Sequence, residues 1–185
     1  MNFSIAAITS RLLAPQHELS CSWRLWWRLL AGLRDRGCAG TRESGAFLLG
    51  CRADGRTRMV DFVLYDDLDP RSLDTGIIRF DGRHFGVLWD ICKQRGLTVV
   101  ADVHTHPGGS RQSESDQAHP MIVRAGHLAL IIPRFAGPPV HRVEIGLYRY
   151  LGARCWETIP REQRCAFFYI PSSPQIQRVR SQLSS

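Results

Sequence analysis

The stretch Val103-His104-Thr105-His106-Pro107-Gly108-Gly109-Ser110-Arg111-Gln112-Ser113-Glu114-Ser115-Asp116 constrains this chain more than any other, because it sets two imidazoles, a hydroxyl and a carboxylate in a short turn behind an apolar run. That run, Leu97-Thr98-Val99-Val100-Ala101-Asp102-Val103, is β-branched and bounded upstream by Gly96, so it reads as a buried strand leading into His104. Alternation along a strand puts His104 and His106 on one side and Thr105 on the other. Two neutral imidazoles so placed converge on one borderline-soft cation. Asp116 as third ligand leaves a fourth tetrahedral position for water, which is the pattern of a catalytic zinc site. Pro107-Gly108-Gly109 turns the chain, and Ser113 is a good N-cap for a helix beginning at Glu114.

Each fragment has a plainer reading. A His-x-His pair alone is more often a surface or satisfied pair, and Ser113-Glu114-Ser115-Asp116 alone is a capping box in which Asp116 serves the helix end. Asp102, nominally on the face of His104, is either a carboxylate that orients an imidazole or a polar strand end. Glu43 alone is an exposed acid at the end of a strand. The combination carries more, because Glu43 heads Ser44-Gly45-Ala46-Phe47-Leu48-Leu49-Gly50, at the mouth of a second apolar strand, where a metal site lacks only its base.

Taken together, Glu43 before that strand, His104-Thr105-His106-Pro107, and Ser113 with Asp116 three residues on resemble the JAMM (MPN-type) zinc metalloproteases, over roughly residues 40 to 150. The resemblance implies an α/β, single-domain, cytidine-deaminase-like fold with a mixed sheet flanked by helices. It implies one Zn2+ per chain, held by His104, His106 and Asp116, with Glu43 as general base and Ser113 helping to hold the oxyanion. The reaction it implies is hydrolysis of peptide or isopeptide bonds, commonly those joining ubiquitin or a ubiquitin-like protein to a target. Six residues separate His106 from Ser113 where the family usually has seven, so the turn is tighter here. The Gly126-to-Pro133 strand and the Trp156-Glu157 region are similar to bacterial members that accompany ubiquitin-activating-like and ubiquitin-conjugating-like enzymes. That narrower likeness implies removal of a ubiquitin-like protein from conjugates, or trimming of its precursor, within an antiviral conjugation system. The alternative is a non-catalytic MPN-type scaffold. A nucleobase deaminase is disfavoured because its Cys-x-x-Cys ligand pair is absent from the sequence.

With 185 residues, 44% hydrophobic and 22% charged, the chain suits one soluble domain, expected over residues 1–170 with a loose tail over 171–185. No apolar stretch reaches membrane-spanning length and no signal-peptide pattern opens the chain, so cytoplasmic residence is the expectation. Six scattered cysteines then read as small buried hydrophobes. The net charge of +7 is uneven. Residues 1–60 carry nine bases against four acids, 61–120 six against ten, and 121–185 nine against three. The basic ends lack any readout motif for nucleic acid, and the acidic middle predicts a cleft that favours a basic residue in its substrate.

Along the chain, Trp23, Trp26, Trp27, Leu30 and Leu33 share a helical face, which predicts an amphipathic helix over about 22–36. Gly45 to Arg52 and Arg58 to Tyr65 read as strands joined at Asp54-Gly55. Ile77 to Phe80 reads as a short strand, and Asp81 then caps a helix stopped by Gly96. The metal-turn helix breaks at Pro120, and strands follow near His127 to Pro133 and Val143 to Tyr150. His84, His119, His127 and His141 fall outside the metal pattern and read as hydrogen-bonded or surface residues.

Overall fold

The computed structural model describes residues 17–171. The expected tail therefore lies outside the described residues apart from Pro171. The elements are β1 (Leu19–Ser20), α1 (Trp23–Arg36), β2 (Gly45–Ala53), β3 (Arg56–Leu64), α2 (Tyr65–Leu68), α3 (Phe85–Arg95), β4 (Thr98–Thr105), α4 (Glu114–Ala118), β5 (Leu128–Ile132), β6 (Gly146–Gly152), β7 (Cys155–Thr158), α5 (Arg164–Phe167) and β8 (Phe168–Tyr169). The strands form one mixed sheet in the order β7-β6-β5-β4-β2-β3-β1-β8, a single-domain α/β arrangement. β4 runs parallel to β5 and antiparallel to β2. The sheet curls. Arg149 on β6 bonds Glu157 and also reaches Glu18 beside β1, and its guanidinium lies over the Phe167 ring, so both ends of the strand order meet.

Period-two alternation gives the sheet two apolar faces. Ala46, Leu48, Val103 and Leu130 pack with α1 on one, and Phe47, Leu49, Val63 and Tyr65 pack with Leu88 and Cys92 of α3 on the other. The β2–β3 hairpin turns at Asp54 (φ 51°) and Gly55 (φ 71°), the pair of left-handed residues that a two-residue turn of this hand requires.

The helix over 23–36 is present, and the Ser22 hydroxyl caps it by accepting the Leu25 N–H. Its buried face differs from the expected one: Leu25, Trp26, Leu29, Leu30 and Leu33 point inward while Trp27 is 53% exposed. At about 100° per residue, Trp27 falls roughly 130° from the centre of that face. Ile77 to Phe80 is not a strand. No ladder partner runs beside it, and Ile78 and Phe80 instead pack as irregular chain against the cluster around Phe47. Of the cysteines, Cys21 and Cys92 are buried as expected, whereas Cys38, Cys51 and Cys155 are exposed. Among the described residues no helix is long and apolar enough to cross a membrane.

Candidate metal centre

Three elements deliver the site. His104 is the penultimate residue of β4, in the middle of the sheet, opposite Gly45 of β2 and Ile131 of β5. Thr105 points to the other face and is buried, its hydroxyl accepting the Ser44 N–H at 3.0 Å while its own N–H donates to the Ser44 carbonyl. The Ser44 hydroxyl in turn donates to the Leu33 carbonyl at 2.7 Å, near the end of α1. This lock fixes Glu43, whose N–H donates to Gly76, at the head of β2 beside the histidines.

The turn after β4 is equally constrained. The His106 N–H donates to the Ile132 carbonyl, and the Phe135 and Arg134 N–H groups donate to the His106 and Gly108 carbonyls. Farther along, the Ser110 hydroxyl donates to the Glu144 carbonyl at 2.6 Å, the Tyr148 hydroxyl donates to the Ser110 carbonyl at 2.7 Å, and the Gln112 N–H donates to Tyr148 at 3.3 Å. The shortened connection is thus pinned to β6.

Asp116, in the first turn of α4, serves two ends at once. Ser113 and Asp116 form a reciprocal capping box: the Asp116 N–H donates to the Ser113 hydroxyl at 3.1 Å, and the Ser113 N–H and O–H both donate to Asp116 Oδ2, at 2.6 and 2.8 Å. The same carboxylate faces the imidazoles, with Oδ1 3.3 Å from His104 Nε2 and Oδ2 3.3 Å from His106 Nε2. The two Nε2 atoms are 3.0 Å apart. His104, His106 and Asp116 therefore make a group that can hold a metal ion. The donor set fits one: a tetrahedral ion with ligand bonds of about 2.0–2.1 Å has ligand-to-ligand edges of about 3.3 Å, and each imidazole lies at that distance from one oxygen of the carboxylate, His104 from Oδ1 and His106 from Oδ2. The plain capping-box reading of Asp116 and the ligand reading meet on one carboxylate: Oδ2 takes both Ser113 bonds and also faces His106, while Oδ1 faces His104.

Electrostatics sharpen the arrangement. Burial would raise the Asp116 carboxyl, but the bonds from His104, His106 and the Ser113 N–H outweigh it and hold the group well below the usual carboxylate range. Burial would depress His104, yet Asp116, with Asp102 and Glu43, holds its imidazole above the ordinary value. Glu43 Oε1 stands 3.9 Å from His106 Nε2. Burial pushes its carboxyl up, partly offset by the two histidines.

All five expected residues line one cleft of about 370 Å³. The acidic residues of the 66–74 segment, Asp66, Asp67, Asp69 and Asp74, do not line it. Asp66 and Asp67 bond Arg36 at 2.8 Å, and buried Asp69 accepts the Arg71 and Asp81 N–H groups, whereas Asp102 and Asp116 of the same third line the cleft with Glu43. His127, expected to be an ordinary hydrogen-bonded residue, is bonded but deeply buried, with Nε2 2.6 Å from Asp102 Oδ1. Tyr65, read only as a strand end, proves to be a fully buried residue of the cleft lining.

No family profile matches the sequence. The probable metalloprotease y4jG of Sinorhizobium fredii (strain NBRC 101917 / NGR234) is 34% identical over 130 residues, which span 70% of this chain and 80% of that protein. The solution structure of protein DSY2949 from Desulfitobacterium hafniense is similar with a TM-score of 0.60 at 14% identity, over 84% of this chain and 94% of that one, a likeness of fold alone.

Proposed function

The chain belongs to the same family as the probable metalloprotease y4jG, and from that premise we propose that it is a zinc-dependent peptidase of the JAMM type, cleaving a ubiquitin-like protein from conjugates or trimming its precursor. The observation that carries this reading is the meeting, in one cleft, of a His104-His106-Asp116 donor set with a half-buried carboxylate, Glu43, 3.9 Å from His106. His104 and His106 through Nε2, and Asp116 through its carboxylate, would hold the ion. Once bound, zinc supplies Lewis acidity and lowers the pKa of water at its open position toward about 7.

The chain's own groups do the rest. Glu43, its proton affinity raised by burial, takes the proton of the attacking water and returns it to the departing amine, which for an isopeptide is a lysine side chain. Ser113 faces the same cleft, but its hydroxyl proton is engaged by Asp116 Oδ2, so in this geometry its first service is to hold a ligand in place. Ile77, Ile78, Met121 and Trp156 line the cleft with apolar surface along which an extended tail lies and from which water is displaced. The resemblance to bacterial members that work beside ubiquitin-activating-like and ubiquitin-conjugating-like enzymes supports a cytoplasmic antiviral conjugation pathway as the setting.

The test couples zinc content to cleavage of a ubiquitin-like protein fused to a reporter. Wild type should carry about one zinc and cut at the junction; Glu43→Gln should keep the zinc and lose about 10²-fold to 10⁴-fold in rate, since the amide preserves shape but accepts no proton. Unchanged cleavage by Glu43→Gln would reduce Glu43 to a strand-end acid. Full zinc without any cleavage of conjugates or precursors would favour the scaffold alternative.

A further inference from the structure

Among the described residues three buried side-chain polar atoms lack a hydrogen-bond partner, Tyr65 Oη, Asp66 Oδ1 and Ser72 Oγ, and of these residues only Tyr65 lines the cleft. A buried hydroxyl left unpaired is costly enough to require an explanation. Its surroundings supply one. The Tyr65 ring lies directly over Gly45, where an added Cβ would come within 2.3 Å of Cε2, and sits edge-on to Phe47 at 4.7 Å between centroids. In the β2–β4 ladder Gly45 stands opposite His104 and Phe47 opposite Asp102. Tyr65 therefore lies alongside those two positions of β4, the metal-facing imidazole and the carboxylate two residues before it.

Asp102 is 3% exposed and also lines the cleft. Its Oδ1 takes the bond from His127 at 2.6 Å. The Tyr65 hydroxyl makes no hydrogen bond, and its residue lines the same cleft as this carboxylate. Burial, and after it the charge of Asp102, holds the phenol well above its ordinary pKa, so it keeps its proton and remains a donor at neutral pH. His104 presents Nε2 to Asp116 and His106, which leaves Nδ1 to carry the ring proton once Nε2 is a ligand. A ligating histidine normally gives that proton to a carboxylate or carbonyl, and such outer partners typically change metal affinity by about 10-fold to 100-fold.

We propose that, with a metal bound, Asp102 is a positioning residue for His104: its carboxylate, already held by His127, accepts the His104 Nδ1 proton, and the unpaired Tyr65 hydroxyl turns to it as a second donor. The proposal rests on the metal reading of the triad. It explains why a carboxylate, a histidine and a phenol occupy an otherwise apolar layer, and why an unpaired hydroxyl is tolerated beside the site.

The experiment compares wild type with Tyr65→Phe and Asp102→Asn in three measurements: urea unfolding of metal-free protein, the zinc dissociation constant against a competing chromophoric chelator, and the visible absorption of the cobalt-substituted protein. Tyr65→Phe removes only the orphan hydroxyl, so its metal-free form should be at least as stable as wild type, yet it should bind zinc about 10-fold more weakly and shift the cobalt bands. A merely structural tyrosine would move stability and leave affinity and spectrum alone. Asp102→Asn should weaken zinc by about 10-fold to 100-fold. Should that variant fail to fold because His127 loses its partner, Tyr65→Phe decides alone. Wild-type affinity and an unchanged cobalt spectrum in Tyr65→Phe would overturn the proposal while leaving the metal centre standing. Wild-type protein that takes up no metal would overturn the metal reading and this proposal with it.

Discussion

Gly45→Ala tests whether the sheet register and the Tyr65 ring are placed as described. The new methyl carbon would sit 2.3 Å from Tyr65 Cε2, 2.7 Å from Cδ2 and 2.8 Å from the Val103 carbonyl oxygen. Ordinary contacts begin near 3.4 Å, so the ring must retreat by about 1 Å. It has little room: the residue is 0% exposed, with Phe47 edge-on at 4.7 Å and Phe80 at 5.7 Å between centroids. Overpacking of this kind costs about 1–3 kcal/mol. With two ring atoms and a backbone oxygen all too close, the expected loss is at the upper end, about 3 kcal/mol. For an m-value of about 1–3 kcal/mol/M, the urea midpoint of the metal-free protein should fall by roughly 1–3 M. Gly86→Ala is the control. It lies within α3 with nothing within 4 Å of an added Cβ, so the helix should gain up to about 1 kcal/mol. A Gly45→Ala midpoint equal to wild type, or raised as in the control, would refute the packing of Tyr65 on Gly45 and the register that opposes Gly45 to His104.

Asp116→Ala and His104→Ala should each lose most bound zinc, measured by metal analysis after gel filtration, because a set of three ligands cannot spare one; full retention in both would sink the assignment. Ser113→Ala should cost about 1 kcal/mol as a lost cap and weaken zinc binding through the slackened Asp116, while turnover per bound zinc falls less than the 10²-fold typical of a lost oxyanion donor. A larger fall in turnover at full occupancy would restore the hydroxyl to the oxyanion. Tyr148→Phe deletes the hydroxyl that bridges Ser110 and Gln112, so amide exchange at Gln112 should speed up and stability should drop by about 1 kcal/mol. Unchanged exchange there would mean that the turn is held without β6.

What the sequence disclosed and what it withheld divide along range. The histidine strand, its turn and the capped helix are local, written in β-branched runs, Gly-Pro punctuation and a capping box, and Glu43 was found because it heads a strand of the same kind. Tyr65 and His127 acquire their meaning only through register: Tyr65 by lying over Gly45, opposite His104, and His127 by preceding β5, which lies beside the strand of Asp102. No periodicity within one segment encodes such a neighbour. The pairing of Asp66 and Asp67 was hidden for the same reason, since both are answered by Arg36, about 30 residues earlier. Ile77 to Phe80 has the composition of a strand but finds no edge to join. β1 and β8, two residues each, are shorter than any pattern can reveal.

The pairing of β1 with β8 has a consequence for how the protein is made. Leu19 stands beside Phe168, and the His17 ring reaches the Ala166 carbonyl 149 residues away. During synthesis Glu43, His104, His106 and Asp116 are all made before β8, the outermost strand, which covers β1. At about 5–20 residues per second, the roughly 50 residues from Asp116 to Phe168 leave an interval of several seconds. In that interval a nascent chain owns its metal ligands but leaves the outer edge of β1, which β8 covers in the finished fold, unpaired, an open edge of the kind that invites pairing with another chain. A polypeptide ended before β8 should accordingly keep the ability to take up metal and lose its solubility.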